Sequence, residues 1–367
     1  MMKIGQQSVV TIEKIVYGGE GIGKLEEGLV IFVPFSAPKE KLRVVIREIK
    51  KNYVKGTIKE ILEKGKGRVL PPCPSYGSCG GCAYQHLDYE TELEIKQAQL
   101  EEIFSCFKKN HSFLIQNIVH GTFPYGYRNR ISLHVRNGKV GFYEKASNRI
   151  VPIKSCLIAS EKINVLLKKW LNQKRKCVGP KTMHVSLREP DIPSYGFYQV
   201  NRYLLEKMRE LVDETIGREI SQIIEGYSGA GFFTEYLKLR MEKIYAIEEN
   251  HLSVKYAKAL GLKNVFFIEG KVEDKLADCL SQIETAKAAY LFDPPKEGIS
   301  KEVISLVNSH PLPKLIYVSC NPLTLKRDIQ RLEKNYLLRT IKPVDLFPKT
   351  PEIECIALLT TKNGSQR

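Results

Sequence analysis

Short segments in which apolar and polar residues alternate occupy most of the first sixty positions. They are separated by turns, of which the glycine-rich stretch 18–23 is the longest. The alternating runs are 8–15, 29–35, 41–50 and 53–61. Alternation with a period of two is typical of strands that bury one face. The pattern predicts a small five-stranded, OB-like β-barrel over residues 1–62.

A second pattern begins after a basic, proline-containing linker at residues 64–72. Residues 89–107 have the periodicity of an amphipathic helix. Residues 128–151 have the alternation of a hairpin, with Asn137-Gly138 at its turn. These elements predict a central α+β domain over residues 70–195.

From about residue 220 onward, apolar runs of strand length alternate with amphipathic helices. The predicted strands are 220–224, 244–247, 265–268, 288–292, 314–318 and 353–359. This order is typical of a doubly wound, largely parallel sheet. The fold class we expect is therefore α/β, with a Rossmann-like domain over residues 196–367.

Composition narrows the class of partner. The 367 residues carry a formal net charge of +16, which favours a polyanion, and nucleic acid fits better than a membrane. No apolar run of about eighteen residues occurs, and the N-terminus lacks the apolar stretch of a signal peptide. We therefore expect a cytoplasmic protein with no membrane partner. In a reducing compartment the nine cysteines indicate metal binding or catalysis rather than disulfides.

Three cysteines stand close together among glycines. Cys73, Cys79 and Cys82 have five and then two residues between them. Thiolates are ligands of zinc and of iron-sulfur clusters, and three of them need a fourth ligand. Cys156, which follows the predicted hairpin, is our candidate, and His86 is the alternative for a zinc site. The spacing is wider than the triplet of radical-generating S-adenosylmethionine enzymes, so we do not expect radical chemistry.

A glycine-rich loop over residues 225–234 follows an apolar strand and opens a helix. In doubly wound sheets, ligands that resemble nucleotides bind at the loop between a strand and the following helix. Glycines in that loop let the ligand come close to the backbone. Glu248 ends the next strand. Its separation from the glycine-rich loop along the sequence is about that of the acid that binds ribose hydroxyls in dinucleotide-binding folds. Asp293 follows the strand 288–292, so its carboxylate is expected at the same edge, and Pro294 and Pro295 stiffen the loop.

Cys320 lies between a predicted strand and a predicted helix. Asn321 is placed to cap the helix and Pro322 to occupy its first position. The helix dipole and the unpaired amides of a helix N-terminus stabilise a thiolate. The position therefore predicts a nucleophilic cysteine.

Taken together, the ordered motifs resemble the RNA uracil-5-methyltransferase family, in the branch that has a TRAM domain and an iron-sulfur cluster. The resemblance covers nearly the whole chain. Its motifs are the four cysteines, residues 197–201, Asp293-Pro294-Pro295, residues 319–325, and Phe347-Pro348 followed by Glu354. The chain departs from the family at Glu225, which is usually Asp, and at Lys349, which is usually His.

The resemblance implies an S-adenosylmethionine-dependent enzyme with a 4Fe-4S cluster. It implies cluster ligands at Cys73, Cys79, Cys82 and Cys156. It also implies contacts to S-adenosylmethionine from Gln199, Tyr227, Glu248 and Asp293. Cys320 matches the nucleophile and Glu354 the base.

The chemistry explains why these two residues are needed. Carbon 5 of uracil is too weak a nucleophile to take a methyl group directly, so a thiolate must first add to carbon 6. We expect Cys320 to make this addition and Glu354 to remove the proton from carbon 5 afterwards. Glu352 is a nearby alternative base.

Members of this branch act mainly on large-subunit ribosomal RNA, whereas a related branch that modifies transfer RNA lacks both accessory modules. By resemblance we expect 23S ribosomal RNA as the partner and a monomeric enzyme. Three alternatives remain: a tRNA uridine methyltransferase, a non-catalytic RNA-binding or assembly protein, and an N-methyltransferase of nucleic acid. The last of these has no use for Cys320.

Overall fold

A computed structural model describes residues 2–109, 111–172, 182–192 and 199–362. The chain forms two compact units. The first comprises Met1–Gln99, Thr122–Glu189 and Phe347–Glu352, and the second comprises Leu100–Gly121, Pro190–Leu346 and Ile353–Arg367. The predicted boundary at residues 195 and 196, and Phe197 and Tyr198 of the family motif, lie outside the described residues. Within the described ranges no helix is both long and apolar enough to cross a bilayer.

The first unit begins with a closed barrel of five strands. They are β1 (Gln7–Val16), β2 (Glu20–Lys24), β3 (Val30–Pro34), β4 (Lys41–Ile49) and β5 (Tyr53–Glu63). The strands close in the order β1-β2-β3-β5-β4, with alternate residues buried in a common core. The predicted barrel is thus confirmed.

The stretch 18–23 is not a turn throughout, as the sequence suggested, because β2 begins at Glu20. The two glycines of β2, Gly21 and Gly23, lie where the barrel wall is closely packed. A Cβ atom at Gly21 would stand 2.0 Å from Ser36 Oγ, and one at Gly23 would stand 2.5 Å from the carbonyl oxygen of Thr11. At these two positions glycine is present because other atoms pack closely against the strand, not because the chain reverses direction.

A helix follows the cysteine-rich segment. It is α1 (Tyr89–Phe104), which continues as a 3-10 turn over Ser105–Lys109 before the short strand β6 (Leu114–Ile115). Ile95 of α1 belongs to the barrel core. The predicted helix 89–107 therefore exists, but its α-helical part ends three residues earlier.

A four-stranded antiparallel sheet and one helix complete the first unit. They are β7 (Arg130–Arg136), β8 (Lys139–Tyr143), β9 (Ile150–Pro152), α2 (Glu161–Asn172) and β10 (Met183–Arg188), with the strand order β10-β7-β8-β9. Asn137 and Gly138 join β7 to β8 with φ angles of 50° and 73°, as a type I′ turn requires. One face of the sheet buries Ile131 and Leu133 in a core shared with residues of α2.

The segment Phe347–Glu352 is held within the first unit by a buried ion cluster. The carboxylate of Glu92 accepts a hydrogen bond from the backbone N–H of Lys349 at 2.6 Å, and Lys349 Nζ forms an ion pair with it at 3.0 Å. Lys96 Nζ lies 2.9 Å from the same carboxylate. Because all three side chains are buried, loss of Glu92 would remove the one carboxylate that both lysines share in this cluster.

The second unit contains six helices and seven strands after β6 among its described residues. They are α3 (Leu205–Ile216), β11 (Gln222–Gly226), α4 (Phe232–Leu237), β12 (Lys243–Glu248), α5 (His251–Ala259), β13 (Val265–Glu269), α6 (Val272–Leu280), β14 (Ala288–Phe292), α7 (Lys301–Ser309), β15 (Lys314–Ser319), α8 (Pro322–Leu332), β16 (Tyr336–Val344) and β17 (Glu354–Thr361). The strands form one sheet in the order β13-β12-β11-β14-β15-β17-β16-β6.

The first five strands of this order are parallel, as predicted, and the order reverses at β11. The last part of the sheet is different. β17 runs antiparallel to β15 and β16, and β6 pairs with β16 in parallel at the edge. β16 and β6 were not predicted from the sequence. The predicted doubly wound α/β fold is confirmed.

Candidate active site

Three candidate side chains lie at one edge of the large sheet. Asp293 follows β14 and Cys320 follows β15, so both stand at the carboxyl ends of parallel strands. Glu354 begins β17, and because this strand is antiparallel its first residue lies at the same edge. Ser319 pairs with Cys355 in the ladder, and continuing the register by one residue brings Cys320 opposite Glu354.

The helix that follows Cys320 is capped as the sequence predicted. The side-chain oxygen of Asn321 accepts hydrogen bonds from the N–H groups of Leu323 at 3.1 Å and Thr324 at 3.5 Å, and Pro322 occupies the first turn. Asn321 Nδ2 also donates to the carbonyl oxygen of Lys296 at 3.3 Å. The residue next to the candidate nucleophile thus links α8 to the loop after β14.

Glu354 is buried, with 2% of its surface exposed. Its Oε1 atom is enclosed, and among the described residues it has no hydrogen-bond partner. Burial raises the pKa of Glu354 well above the ordinary value and the charge of Asp293 raises it further, whereas Lys296 opposes the shift. A carboxylate in this environment has a high affinity for a proton, which suits a general base. The alternative base, Glu352, belongs to the first unit.

Asp293 is paired with Gln199. The Nε2 atom of Gln199 donates to Oδ2 of Asp293 at 3.3 Å. Burial raises the pKa of Asp293 to about 7, and the hydrogen bond from Gln199 opposes that shift. Two residues that the family resemblance assigns to the cofactor therefore contact one another at the end of β14.

The glycine-rich loop has the backbone geometry of a close-approach site. Tyr227 has a φ of 62°, and a Cβ atom on Gly226 would lie 2.8 Å from the ring of Phe292. Glu248 accepts a hydrogen bond from the N–H of Gly229 at 2.9 Å, which fixes the loop to the end of β12. The hydroxyl of Ser228 is buried, and within the described ranges it has no hydrogen-bond partner. A polar ligand at this loop would supply one.

Glu225, the departure from the family pattern, lies beneath the loop. It is 2% exposed, and the hydroxyl of Thr234 donates to its Oε2 at 2.5 Å. Burial raises the pKa of Glu225 to about 8, with further contributions from the charges of Asp293 and Glu248, whereas the hydrogen bond from Thr234 opposes the shift. With a pKa of about 8, this buried acid holds a proton at neutral pH.

Asp328, on α8, holds the loop after β14, and the sequence analysis did not identify it. Its Oδ2 accepts hydrogen bonds from the hydroxyl of Tyr317 at 2.8 Å and from the N–H of Ile299 at 2.9 Å. Arg327 donates to the carbonyl oxygen of Glu297 at 2.6 Å. The available signal was an acid on the apolar face of the helix, next to the buried Ile329.

The four predicted cluster ligands lie together in the first unit. They line one cavity of about 90 Å³, whose wall also includes Arg128, Ile131 and Phe142. That volume exceeds the roughly 10–15 Å³ that one water needs. Burial raises the pKa of Cys82 to about 12, and it also raises the pKa values of Cys79 and Cys156. The cysteine loop is fixed to β8, since the N–H of Gly80 donates to the carbonyl oxygen of Tyr143 at 2.9 Å.

His86 does not line this cavity. Its Nδ1 lies 2.5 Å from the hydroxyl of Tyr76 and its Nε2 lies 2.9 Å from the carbonyl oxygen of Ser36, so both ring nitrogens are engaged. Among the residues that the structure describes, no group of three or more His, Cys, Asp or Glu side chains is placed to hold a single metal ion. The cysteines surround a space rather than converge on a point.

Comparisons with known proteins agree with this architecture. The profile of the tRNA (uracil-5-)-methyltransferase family matches residues 275–362, and that of the TRAM domain matches residues 2–59. An uncharacterised RNA methyltransferase of Caldanaerobacter subterraneus subsp. tengcongensis is 30% identical, over 98% of this chain and 99% of its own length. Another, from Bdellovibrio bacteriovorus, is 30% identical over 97% of this chain and 95% of its own length.

The fold also matches a solved structure over nearly its full length. The tRNA (uracil-54, C5)-methyltransferase of Pyrococcus abyssi, solved in complex with S-adenosyl-L-homocysteine, superposes with a TM-score of 0.70 and 22% identity. The match covers 95% of this chain and 99% of the Pyrococcus abyssi chain. The family profile spans the edge that carries Asp293, Cys320 and Glu354. The chain therefore belongs to the RNA (uracil-5-)-methyltransferase family, with a TRAM domain at residues 2–59.

Proposed function

We propose that this protein methylates carbon 5 of a specific uridine in 23S ribosomal RNA through a covalent adduct with Cys320. The observation that carries the proposal is the register of β15 and β17. Ser319 pairs with Cys355, so that Cys320 and Glu354 are the next residues at the same edge, and the buried Oε1 of Glu354 has no hydrogen-bond partner among the described residues. A nucleophile and a base on neighbouring strand ends are what this reaction needs.

In the proposed reaction the thiolate of Cys320 forms a bond to carbon 6 of the uracil, and the electron pair of the ring double bond passes to carbon 5 and the carbonyl group. S-Adenosylmethionine, when bound, would supply the methyl group that carbon 5 takes up with this electron pair, and S-adenosylhomocysteine would be the leaving group. Glu354 then takes the proton from carbon 5, which restores the ring double bond and expels the thiolate of Cys320. The raised pKa of Glu354 suits this step, because the carboxylate must accept a proton from carbon.

We assign the methyl donor to the edge formed by the glycine-rich loop and the ends of β12 and β14. The proposed contacts are Gln199, Tyr227, Glu248 and Asp293. The buried hydroxyl of Ser228, which has no hydrogen-bond partner in the described parts of the chain, and the close approach permitted at Gly226 support a polar ligand of nucleotide size there.

We propose that Cys73, Cys79, Cys82 and Cys156 bind a 4Fe-4S cluster. A cluster of several atoms holds four thiolates farther apart than a single ion does, which fits cysteines that line a cavity of about 90 Å³. The cluster would join the cysteine loop to the segment after β9. Its role in this proposal is structural, because the methyl transfer requires no electron.

A second candidate substrate is tRNA. The observation that favours it is the similarity in fold to an archaeal enzyme that acts on uracil 54 of tRNA. We favour ribosomal RNA by the resemblance of the cysteine motif to the ribosomal branch, because the match to the tRNA enzyme covers 95% of this chain and the barrel therefore does not distinguish the two substrates. Incubating the enzyme with a radiolabelled methyl donor and either 23S transcript or unmodified tRNA decides between them. Label in tRNA alone would overturn the ribosomal assignment.

The proposal also includes the organisation of the chain. Residues 1–62 would form the RNA-binding barrel, residues 70–195 the cluster domain and residues 196–367 the methyltransferase domain, in a monomeric cytoplasmic enzyme. The net charge of +16 supports a polyanionic substrate for such an enzyme.

The deciding experiment uses RNA that contains 5-fluorouridine. Glu354 cannot remove fluorine from carbon 5, so the adduct with Cys320 would persist through denaturing electrophoresis. We expect a stable adduct with the wild-type enzyme in the presence of S-adenosylmethionine, and none with Cys320→Ala. The matched control is Cys106→Ala, at an exposed cysteine. An adduct that forms equally well with Cys320→Ala would refute the mechanism.

A further inference from the structure

The four-stranded sheet of the first unit has an open face opposite its core. Alternate residues of β7, β8 and β10 point to this side, because their neighbours are buried against α2. The residues are Arg130, Ser132, His134 and Arg136 on β7, Lys139 and Tyr143 on β8, and His184, Ser186 and Arg188 on β10. All nine are exposed or half-buried. We name this surface the stacking face.

Three aromatic rings occupy its centre. The ring of His134 is stacked on that of Tyr143, with centroids 3.7 Å apart and planes inclined by 20°. His184, the cross-strand partner of His134, contacts it edge-on at 4.8 Å between centroids. Burial lowers the pKa of His134, and neighbouring His184 lowers it further, so the stacked ring is neutral at pH 7. His184 is exposed and Tyr143 half-buried, which leaves aromatic surface open to solvent.

Basic residues flank the rings at both ends of the strands. Arg136 pairs with Lys139 across β7 and β8, and Arg130 pairs with Arg188 across β7 and β10. Residues two apart on a strand are separated by about 6.7 Å. Along β7, Arg136 therefore lies about 7 Å from His134 and Arg130 about 13 Å from it. The pKa of Arg130 is lowered by burial and by the like charges of Arg188 and Arg128. Crowded cations of this kind are stabilised by a polyanion.

The acids nearest to this surface in sequence are engaged elsewhere. Glu144, next to Tyr143, is ion-paired with Arg149. Glu189, next to Arg188, is buried and accepts a hydrogen bond from the hydroxyl of Ser160 at 2.5 Å. None of the nine positions of the stacking face carries an acid. The charge of the surface is therefore positive around an aromatic centre.

We propose that the stacking face binds a single-stranded segment of the RNA substrate, with a base stacked on the open rings of Tyr143 and His184 and phosphates at the two basic pairs. Aromatic platforms flanked by cations bind single strands in this way without reading a particular sequence. The segment bound here is distinct from the target uridine, because this surface contains neither Cys320 nor Glu354. The proposal rests on RNA being the substrate.

The test measures binding of a fluorescein-labelled, single-stranded 20-nucleotide RNA to the full-length protein without methyl donor. Tyr143→Leu is expected to weaken binding by roughly five- to a hundredfold, as the loss of one stacked base does, whereas Tyr143→Phe keeps the ring and the affinity. Lys139→Gln is expected to reduce the slope of log K against log salt by about 0.7. Its matched control is Lys169→Gln, at an exposed lysine on α2 outside the stacking face.

Unchanged affinity in Lys139→Gln and in His184→Ala would overturn the proposal, and both sites are exposed enough for the variants to fold. If Tyr143→Leu weakened binding of polyglutamate as much as binding of RNA, base stacking would be refuted, and an acidic protein would be the better partner. Formation of the covalent adduct with 5-fluorouridine RNA is measured in a separate assay, at saturating RNA concentration. Variants of the stacking face should still form it, so failure of this inference and failure of the catalytic proposal give different results.

Discussion

The hydroxyl of Tyr317 on β15 donates a hydrogen bond to Asp328 on α8 at 2.8 Å, and the same carboxylate oxygen accepts from the N–H of Ile299 at 2.9 Å. One buried acid thus fixes the strand before Cys320 and the loop after Asp293. The loop and α8 are closely packed here, because a Cβ atom on Gly298 would lie 2.3 Å from Asp328 Oδ2. The strand before the proposed nucleophile and the loop after the proposed cofactor contact Asp293 thus share a single support.

We therefore expect Asp328→Ala to lower both stability and activity. Because Asp328 is fully buried and accepts several hydrogen bonds, its loss should reduce the free energy of unfolding by about 3 kcal/mol. Misplacement of the loop should slow turnover by about tenfold or more. Urea unfolding and methylation kinetics measure the two effects. Asp278→Ala, at an exposed position on α6, is the control, and equal stability of the two variants would contradict the role of Asp328.

Replacing the proposed base should trap the reaction rather than prevent it. In Glu354→Gln the thiolate of Cys320 can still add to uracil, but the proton on carbon 5 has no acceptor. We expect turnover to fall by about 10²- to 10⁴-fold and a methylated covalent adduct to accumulate, detectable by mass spectrometry of the intact protein–RNA species. Glu352→Gln should turn over normally. Normal product release by Glu354→Gln would move the role to Glu352 or to water.

The buried acid Glu225 predicts a pH dependence of stability. Its pKa is raised from 4.5 to about 8, so the folded chain retains a proton that the unfolded chain releases. The stabilising contribution is present below pH 4.5 and is lost as the pH rises through about 8. Relative to wild type, Glu225→Gln should gain stability across that range, by at most about 5 kcal/mol. Urea unfolding at several pH values measures this, with exposed Glu302→Gln as control, and parallel curves for the two variants would refute it.

The cysteine cavity makes a separate prediction. Protein purified without oxygen should contain about four iron and four sulfide ions per chain. Cys79→Ser should lose them and become less soluble, whereas Cys106→Ser, at an exposed cysteine, should keep them. Chemical analysis of iron, sulfide and zinc measures the outcome. One zinc ion and no sulfide would refute the cluster and leave the methyltransferase proposal unchanged.

The placement of Asp293 and Cys320 at one edge of the sheet could be predicted because it follows from short-range patterns. The apolar runs before Asp293 and Cys320 identify parallel strands, and parallel strands bring their carboxyl ends to one edge. The Asn-Pro pair after Cys320 identifies a helix start. Each of these inferences needs only about ten consecutive residues.

The remaining features depend on contacts between distant parts of the chain. Asp328 contacts Ile299, 29 positions away, and nothing near Asp328 in sequence indicates that partner. The segment Phe347–Glu352 belongs to the first unit because Lys349 contacts Glu92, 257 positions earlier. β6 is only two residues long and has no periodicity to detect.

That short strand also constrains the order of events during synthesis. Leu114 and Ile115 pair with Thr340 and Ile341. Roughly 220 residues separate the two strands, which at typical elongation rates is roughly ten to forty seconds of translation. Throughout that interval the first segment of the catalytic sheet is outside the ribosome without its neighbour. The sheet therefore cannot be completed domain by domain as the chain emerges, and its last edge forms only when synthesis is almost finished.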